Sequence, residues 1–138
     1  YNIPPERVVV DNFGVGANVA QELALSWLRI NAINVGQKPL DIEWLYMNLR
    51  AELYTKLQKW IAWGGILSEH EEWSELDAIR YRRELSNRLK IMGKDEMRKN
   101  GIKSPNFADA LMLTFYVTDQ VVQKNTMWIY EYDISWLL

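Results

Sequence analysis

"RVVVDNFGVGANVAQELALSWLRINAINVG", residues 7–36, decides how this chain is read. The β-branched run Val8, Val9, Val10 ends in Asp11 and is followed closely by two glycines. That pattern predicts a short buried strand closed by a turn. Over residues 15–30, Val19, Leu23, Trp27 and Ile30 recur at helical spacing, and residues 32–35 offer a second short strand. A strand, a helix and a strand in this order predict a right-handed crossover and a parallel pair, hence an α/β fold.

This places Asp11 at the carboxyl end of a parallel strand, the edge where open α/β sheets bind ligands. The glycines beside it invite comparison with a dinucleotide-binding turn. Val19 stands where the third small residue belongs, and an acid ahead of the turn repels a pyrophosphate. The same acid favours a metal ion. An acid that simply caps its own turn fits the spacing equally well.

Further along, residues 42–63 read as a helix. Leu45, Leu49, Leu53, Leu57 and Ile61 recur every four positions, with Arg50, Glu52, Lys56 and Lys59 on other faces and Gly64–Gly65 as the stop. Asp41 and Glu43 sit at its start, where the helix dipole favours acids. Residues 68–84 are charged with helical stretches, residues 89–92 offer a third strand, and "KDEMRKNG" gives one or two helical turns ended by Gly101. In "GIKSPNFADALMLTFY", residues 101–116, Ser104 is expected to cap and Pro105 to open a helix running to about Val122.

Asp109 is the anomaly of that helix. It lies past ordinary capping reach, among Ala108, Ala110, Leu111 and Met112. Asn106, three positions earlier, shares its face, and Met112, Leu113 and Tyr116 suggest that the face turns inward. A carboxylate there is costly unless a cation or a hydrogen-bond network meets it. A metal ion is one answer and a buried arginine, with Arg50 the candidate, is the other.

Composition narrows the chemistry. A chain of 138 residues with 49% hydrophobic and 25% charged residues has the size and make-up of one globular domain, and its seven Trp are expected mostly in the core. With no Cys and only one His, His70, thiolate and imidazole clusters are excluded. Any metal would need oxygen ligands, which favours Mg²⁺, Mn²⁺ or Ca²⁺. Net charge is −2, so no global positive field points to nucleic acid. Yet nine of the sixteen Lys and Arg fall in residues 80–103, just after the acids Glu69, Glu71, Glu72, Glu75 and Asp77. The basic stretch is either a solvated face or a track for phosphates. No signal peptide, membrane span or GxxxxGK[ST] phosphate loop is present in the sequence. The apolar tail "TMWIYEYDISWLL", residues 126–138, is expected to be a strand or a docking segment, and a chain opening on Tyr1 is expected to be a piece of a longer one.

The segments "VVVDNFGVGANVAQELA", "NVGQKP", "NLRAELYTKLQKWI" and "KDEMRKNGIKSPNFADALMLTF" resemble, in order, the C-terminal nuclease domain of the large terminase subunit of tailed bacteriophages. The likeness covers most of residues 8–115. It implies a ribonuclease H-like (resolvase- or integrase-like) mixed sheet flanked by helices, one domain over residues 1–138, lacking the family's N-terminal strands. It implies a metal-dependent endonuclease that cuts concatemeric double-stranded DNA, two Mg²⁺ or Mn²⁺ ions activating water and stabilising the leaving oxygen.

By this resemblance Asp11 matches the family's acid on a central strand and Asp109 the acid of the final helix, both catalytic and metal-binding. Asn106, where many relatives carry Asp, is a weaker ligand. The family's first acid has no counterpart here, which implies weak metal binding and little activity for these residues alone. Arg80, Arg82, Arg83, Lys94, Arg98, Lys99 and Lys103 are the expected DNA contacts. Implied partners are double-stranded DNA, the small terminase subunit and the portal protein, with no membrane, in the cytoplasm of an infected or lysogenic bacterial host. Loss of upstream strands, together with Trp128, Trp136, Leu137 and Leu138, implies self-association. Two alternatives are a non-catalytic docking module of the packaging motor and a resolvase-like or transposase-like nuclease.

Overall fold

Strands β1 (Val9–Asp11) and β2 (Asn31–Ile33) pair in parallel with Val9 opposite Asn31 and Asp11 opposite Ile33. The computed structural model describes residues 2–13, 15–26, 29–41 and 44–125, with the side chains of Val15 and residues 118–125 left out. Trp27, Glu43 and the tail of residues 126–138, all singled out in the sequence, lie outside the described residues. Asn31 locks the register, since its side-chain amide donates to Glu6 O at 2.7 Å and Val8 O at 3.2 Å. Helix α1 (Val15–Leu25) stops short of the expected residue 30. It enters tightly against β1: a Cβ on Gly16 would lie 1.8 Å from the Asp11 carbonyl oxygen, so only glycine fits there.

Helix α2 (Leu49–Ala62) begins later than the sequence periodicity predicts. Residues 45–47 are held extended instead, because Leu89 N donates to Leu45 O at 2.7 Å and Met47 N to Leu89 O at 2.9 Å. Asn48 then caps the helix, its side-chain oxygen accepting from Ala51 N. Asp41 lies ahead of that start and pairs with Lys56 at 2.7 Å. Leu49, Leu53 and Leu57 fill the core as expected, with Ile33, Tyr46, Ile91, Ala108 and Met112 around them. Ile61 is exposed.

Two polar residues off the leucine seam are buried, Arg50 in keeping with its candidacy as the buried partner of Asp109. Arg50 is 8% exposed and Glu52 is 0% exposed. Glu52 is satisfied by Leu40 N at 2.6 Å and Lys56 Nζ at 2.5 Å, so it pins the preceding loop to the helix. Of the Trp residues, Trp60 packs edge-on to Phe115 at 5.9 Å, but Trp44 and Trp63 are exposed and not core.

Residues 68–84, expected to hold helical stretches, are helical in one part, and a strand that was not expected follows it. They form a 3₁₀ segment (Glu71–Ala78) and then β3 (Tyr81–Arg83). This strand pairs antiparallel with β4 (Leu89–Ile91), making a hairpin separate from the β1–β2 pair. Nothing in its sequence pattern marked β3, because all three of its residues are exposed. Asn87 turns the hairpin with φ 59° and donates its N–H to Glu84 O at 2.8 Å.

Helix α3 (Lys94–Lys99) ends as expected at Gly101, whose φ of 70° lets its own N–H reach Arg98 O and that of Ile102 reach Met97 O. Helix α4 (Asn106–Asn125) packs against α2, the 3₁₀ segment and β1. Among the described residues no helix is long and apolar enough to cross a membrane.

Candidate active site

The start of α4 is held from outside the helix. Ser104, expected as its cap, donates instead to Asn106 Oδ1 at 3.1 Å. The carboxylate of Glu75, from the 3₁₀ segment, accepts from Phe107 N at 2.7 Å and Ala108 N at 3.2 Å. An acid at that position satisfies unpaired N–H groups and complements the dipole. It also fixes the turn that presents Asp109.

Asp109 is met by three side chains from two other helices. Arg50 Nη2 and the Tyr54 hydroxyl donate to its Oδ1 at 3.0 and 2.6 Å, and Lys94 Nζ lies 3.0 Å from its Oδ2. Arg50 is fixed in turn, donating through Nη1 to Met92 O at 2.8 Å and lying 5.2 Å above the Tyr54 ring. Helical spacing makes this possible, because Arg50 and Tyr54 are one turn apart on α2.

Burial by itself would raise the Asp109 pKa. The Arg50 charge, the Tyr54 hydroxyl and the Lys94 and Arg50 hydrogen bonds outweigh it and hold the carboxyl below its ordinary range. Burial, with the adjacent Asp109 charge, pushes the Tyr54 phenol up, so it stays a hydrogen-bond donor.

Asp11 closes a local turn, its Oδ1 accepting from Phe13 N at 3.2 Å. It stands at the carboxyl end of β1, against which α4 packs. Asn106 is exposed and held by Ser104. Among the described residues no three His, Asp or Glu side chains converge to hold a metal ion. Two cations already neutralise Asp109.

The expected DNA contacts divide. Arg82 is paired with Glu84 at 3.2 Å and Glu96 at 2.5 Å, Lys94 with Asp109 and Arg98 with Asp95 at 3.7 Å. Among the described residues Arg80 and Arg83 donate only to backbone carbonyls, of Asp77 and Ile79 and of Asn87 respectively. Lys99 and Lys103 are exposed. His70, to which the sequence assigns no role, accepts from Glu72 N and stacks on Phe107 at 5.5 Å. Sequence reading missed Tyr54 and Glu75. Only the spacing of Tyr54 from Arg50 gave a signal for the first, and nothing local gave one for the second.

No protein-family model matches the chain, and no curated protein matches it. Solved structures do. A lysine-to-alanine mutant of the nuclease domain of the large terminase subunit gp2 of bacterial virus Sf6, with manganese and β-thujaplicinol, superposes with a TM-score of 0.61 at 25% identity. It covers 78% of this chain and 63% of that one. The same mutant with calcium gives 0.62 at 22%, and the unmutated Sf6 nuclease domain 0.61 at 23%.

This is the fold of a phage terminase nuclease domain. The terminase-type fold is ribonuclease H-like, mixed α/β with small sheets and helices, in agreement with the sequence reading. The chain spans 63% of the length of the Sf6 domain that it matches at 25% identity.

Proposed function

We propose that this chain is the nuclease portion of a phage terminase large subunit that cuts concatemeric double-stranded DNA during packaging. One juxtaposition carries the reading: Asp11 ends the parallel strand β1 while α4, bearing Asp109, packs beside that strand, in a fold shared with a terminase nuclease. Asp11 and Asp109 are the acids proposed to face the scissile phosphate. Manganese and calcium in the Sf6 structures support a divalent-cation requirement, met in the cell by Mg²⁺ or Mn²⁺.

Within this reading Arg50 and Tyr54 fix the Asp109 carboxylate in place. Lys94, half exposed, is the partner that can leave it. Small-subunit and portal contacts follow from the same reading. The neutralised state of Asp109 favours a second one, in which these residues form a non-catalytic part of the motor.

Plasmid cleavage by the intact protein that carries these residues separates the two. With Mn²⁺ present, the parent protein is expected to linearise plasmid and its Asp109→Asn variant to leave it uncut. Equal cleavage by both overturns the nuclease assignment of Asp109.

A further inference from the structure

A groove of about 200 Å³ lies between α2, the 3₁₀ segment and the β3–β4 hairpin. Its walls include Leu57 and Ile61 of α2, Leu76, Ile79, Tyr81 of β3 and Ile91 of β4. Leu57 and Ile91 are buried, whereas Ile61 is 40% and Tyr81 64% exposed. Just past Ile61 in the chain, Trp63 and Ile66 are exposed as well. Apolar surface gathered in this way marks a contact surface.

Helix packing decides what can cover it. Asp109 meets Arg50 and Tyr54, and further along both helices Phe115 meets Trp60. The two helices therefore run in the same direction. From Phe115, α4 continues to Asn125, about 15 Å at about 1.5 Å per residue, while α2 stops at Ala62, just past Trp60. Residues 126–138, which lie outside the described residues, therefore follow a helix end beyond the exposed end of α2. A segment of that length reaches up to about 43 Å when extended, ample to return along α2 to Ile61 and Leu57.

The chemistry of the segment matches the groove. Residues 126–138 are mostly apolar or aromatic, with Trp128 and Trp136 among them, and their only charged side chains are the acids Glu131 and Asp133. Arg83, two positions from Tyr81 in β3, leaves the strand on the same face. Among the described residues it is in no ion pair and donates only to Asn87 O.

We propose that residues 126–138 fold back over this groove, apolar side chains inward and an acid of the segment against Arg83. A tethered segment acts at an effective concentration of about millimolar, which favours it over a separate partner with a similar surface. The inference does not depend on the nuclease reading.

The test is paramagnetic broadening in the NMR spectrum of the whole chain. The chain has no Cys, so Ser135→Cys takes a single nitroxide label. The amides of Leu57, Ile79 and Ile91 are expected to lose most of their intensity and to regain it when the label is reduced. Adding Tyr81→Glu and Arg83→Glu is expected to abolish that loss. Both residues are exposed, so the fold is expected to survive the change, which circular dichroism checks.

Undiminished amides in the labelled chain overturn the proposal. Broadening that persists in the doubly substituted chain also overturns it. So does broadening passed from nitroxide-bearing chains to isotope-labelled chains without the nitroxide, since a second copy would then fill the groove. None of these outcomes bears on plasmid cleavage.

Discussion

The Tyr54 hydroxyl donates to Asp109 Oδ1 at 2.6 Å, the shortest of the three contacts that this carboxylate makes to α2 and α3. Tyr54 is 5% exposed, so its donor has no water to turn to. Replacing Tyr54 by Phe keeps the ring and its contact with Arg50 but removes a bond to a charged acceptor. The expected loss is about 1.5–3 kcal/mol in urea unfolding. A loss below about 0.5 kcal/mol would mean that the bond is compensated elsewhere.

Asp109 supports the fold as well as the proposed chemistry. Arg50 is buried, and removing its partner leaves an unpaired charge. Asp109→Ala is expected to cost about 3–5 kcal/mol, so the inactivity of that variant alone would not establish a catalytic role. The double variant Arg50→Met, Asp109→Leu is expected to recover most of that stability, because an apolar pair removes both charges. It is expected to remain unable to cut DNA. Restored cleavage in it would exclude Asp109 from the reaction.

The depressed Asp109 pKa sets a direction for acid unfolding. A carboxyl whose folded pKa lies below its unfolded value of about 4 adds stability above that pH, and this is lost as pH falls through the folded value. Between pH 5 and pH 2 the parent is expected to lose stability more steeply than Asp109→Asn. Equal slopes would show that Asp109 is not held ionised by Arg50.

Lys94 is the exposed member of the Asp109 cluster, with half its side chain in solvent. Its ion pair is expected to contribute less than about 1 kcal/mol to stability. Its positive charge opposes any further cation at Oδ2. Lys94→Ala is therefore expected to bind Mn²⁺ more tightly than the parent in calorimetry, with little change in melting temperature. Identical titrations would show that Lys94 does not control access to Asp109.

Glu75 caps α4 across a long sequence separation. Glu75→Ala is expected to destabilise by about 1–2 kcal/mol, and Glu75→Gln by less, since the amide oxygen still accepts. Hydrogen exchange at Phe107 and Ala108 reads the effect directly. Unchanged protection there would assign the cap to another group.

By itself the sequence determined the parallel pair and the crossover helix, because β-branched runs and helical spacing are local signals. It determined the Leu49–Leu53–Leu57 seam and the Gly101 stop for the same reason. It also marked Asp109 as an acid in need of a partner and Arg50 as a candidate for that place. Only the tertiary structure decided that α2 starts at Leu49, since the competing bonds come from Leu89, forty residues away in the chain. Only it could reveal β3, whose exposed residues carry no burial pattern, and the capping of α4 by Glu75. Most of all it decided the state of Asp109. A carboxylate's charge and bonding follow from what surrounds it in space, and Arg50, Tyr54 and Lys94 reach it from helices that local sequence could not place side by side.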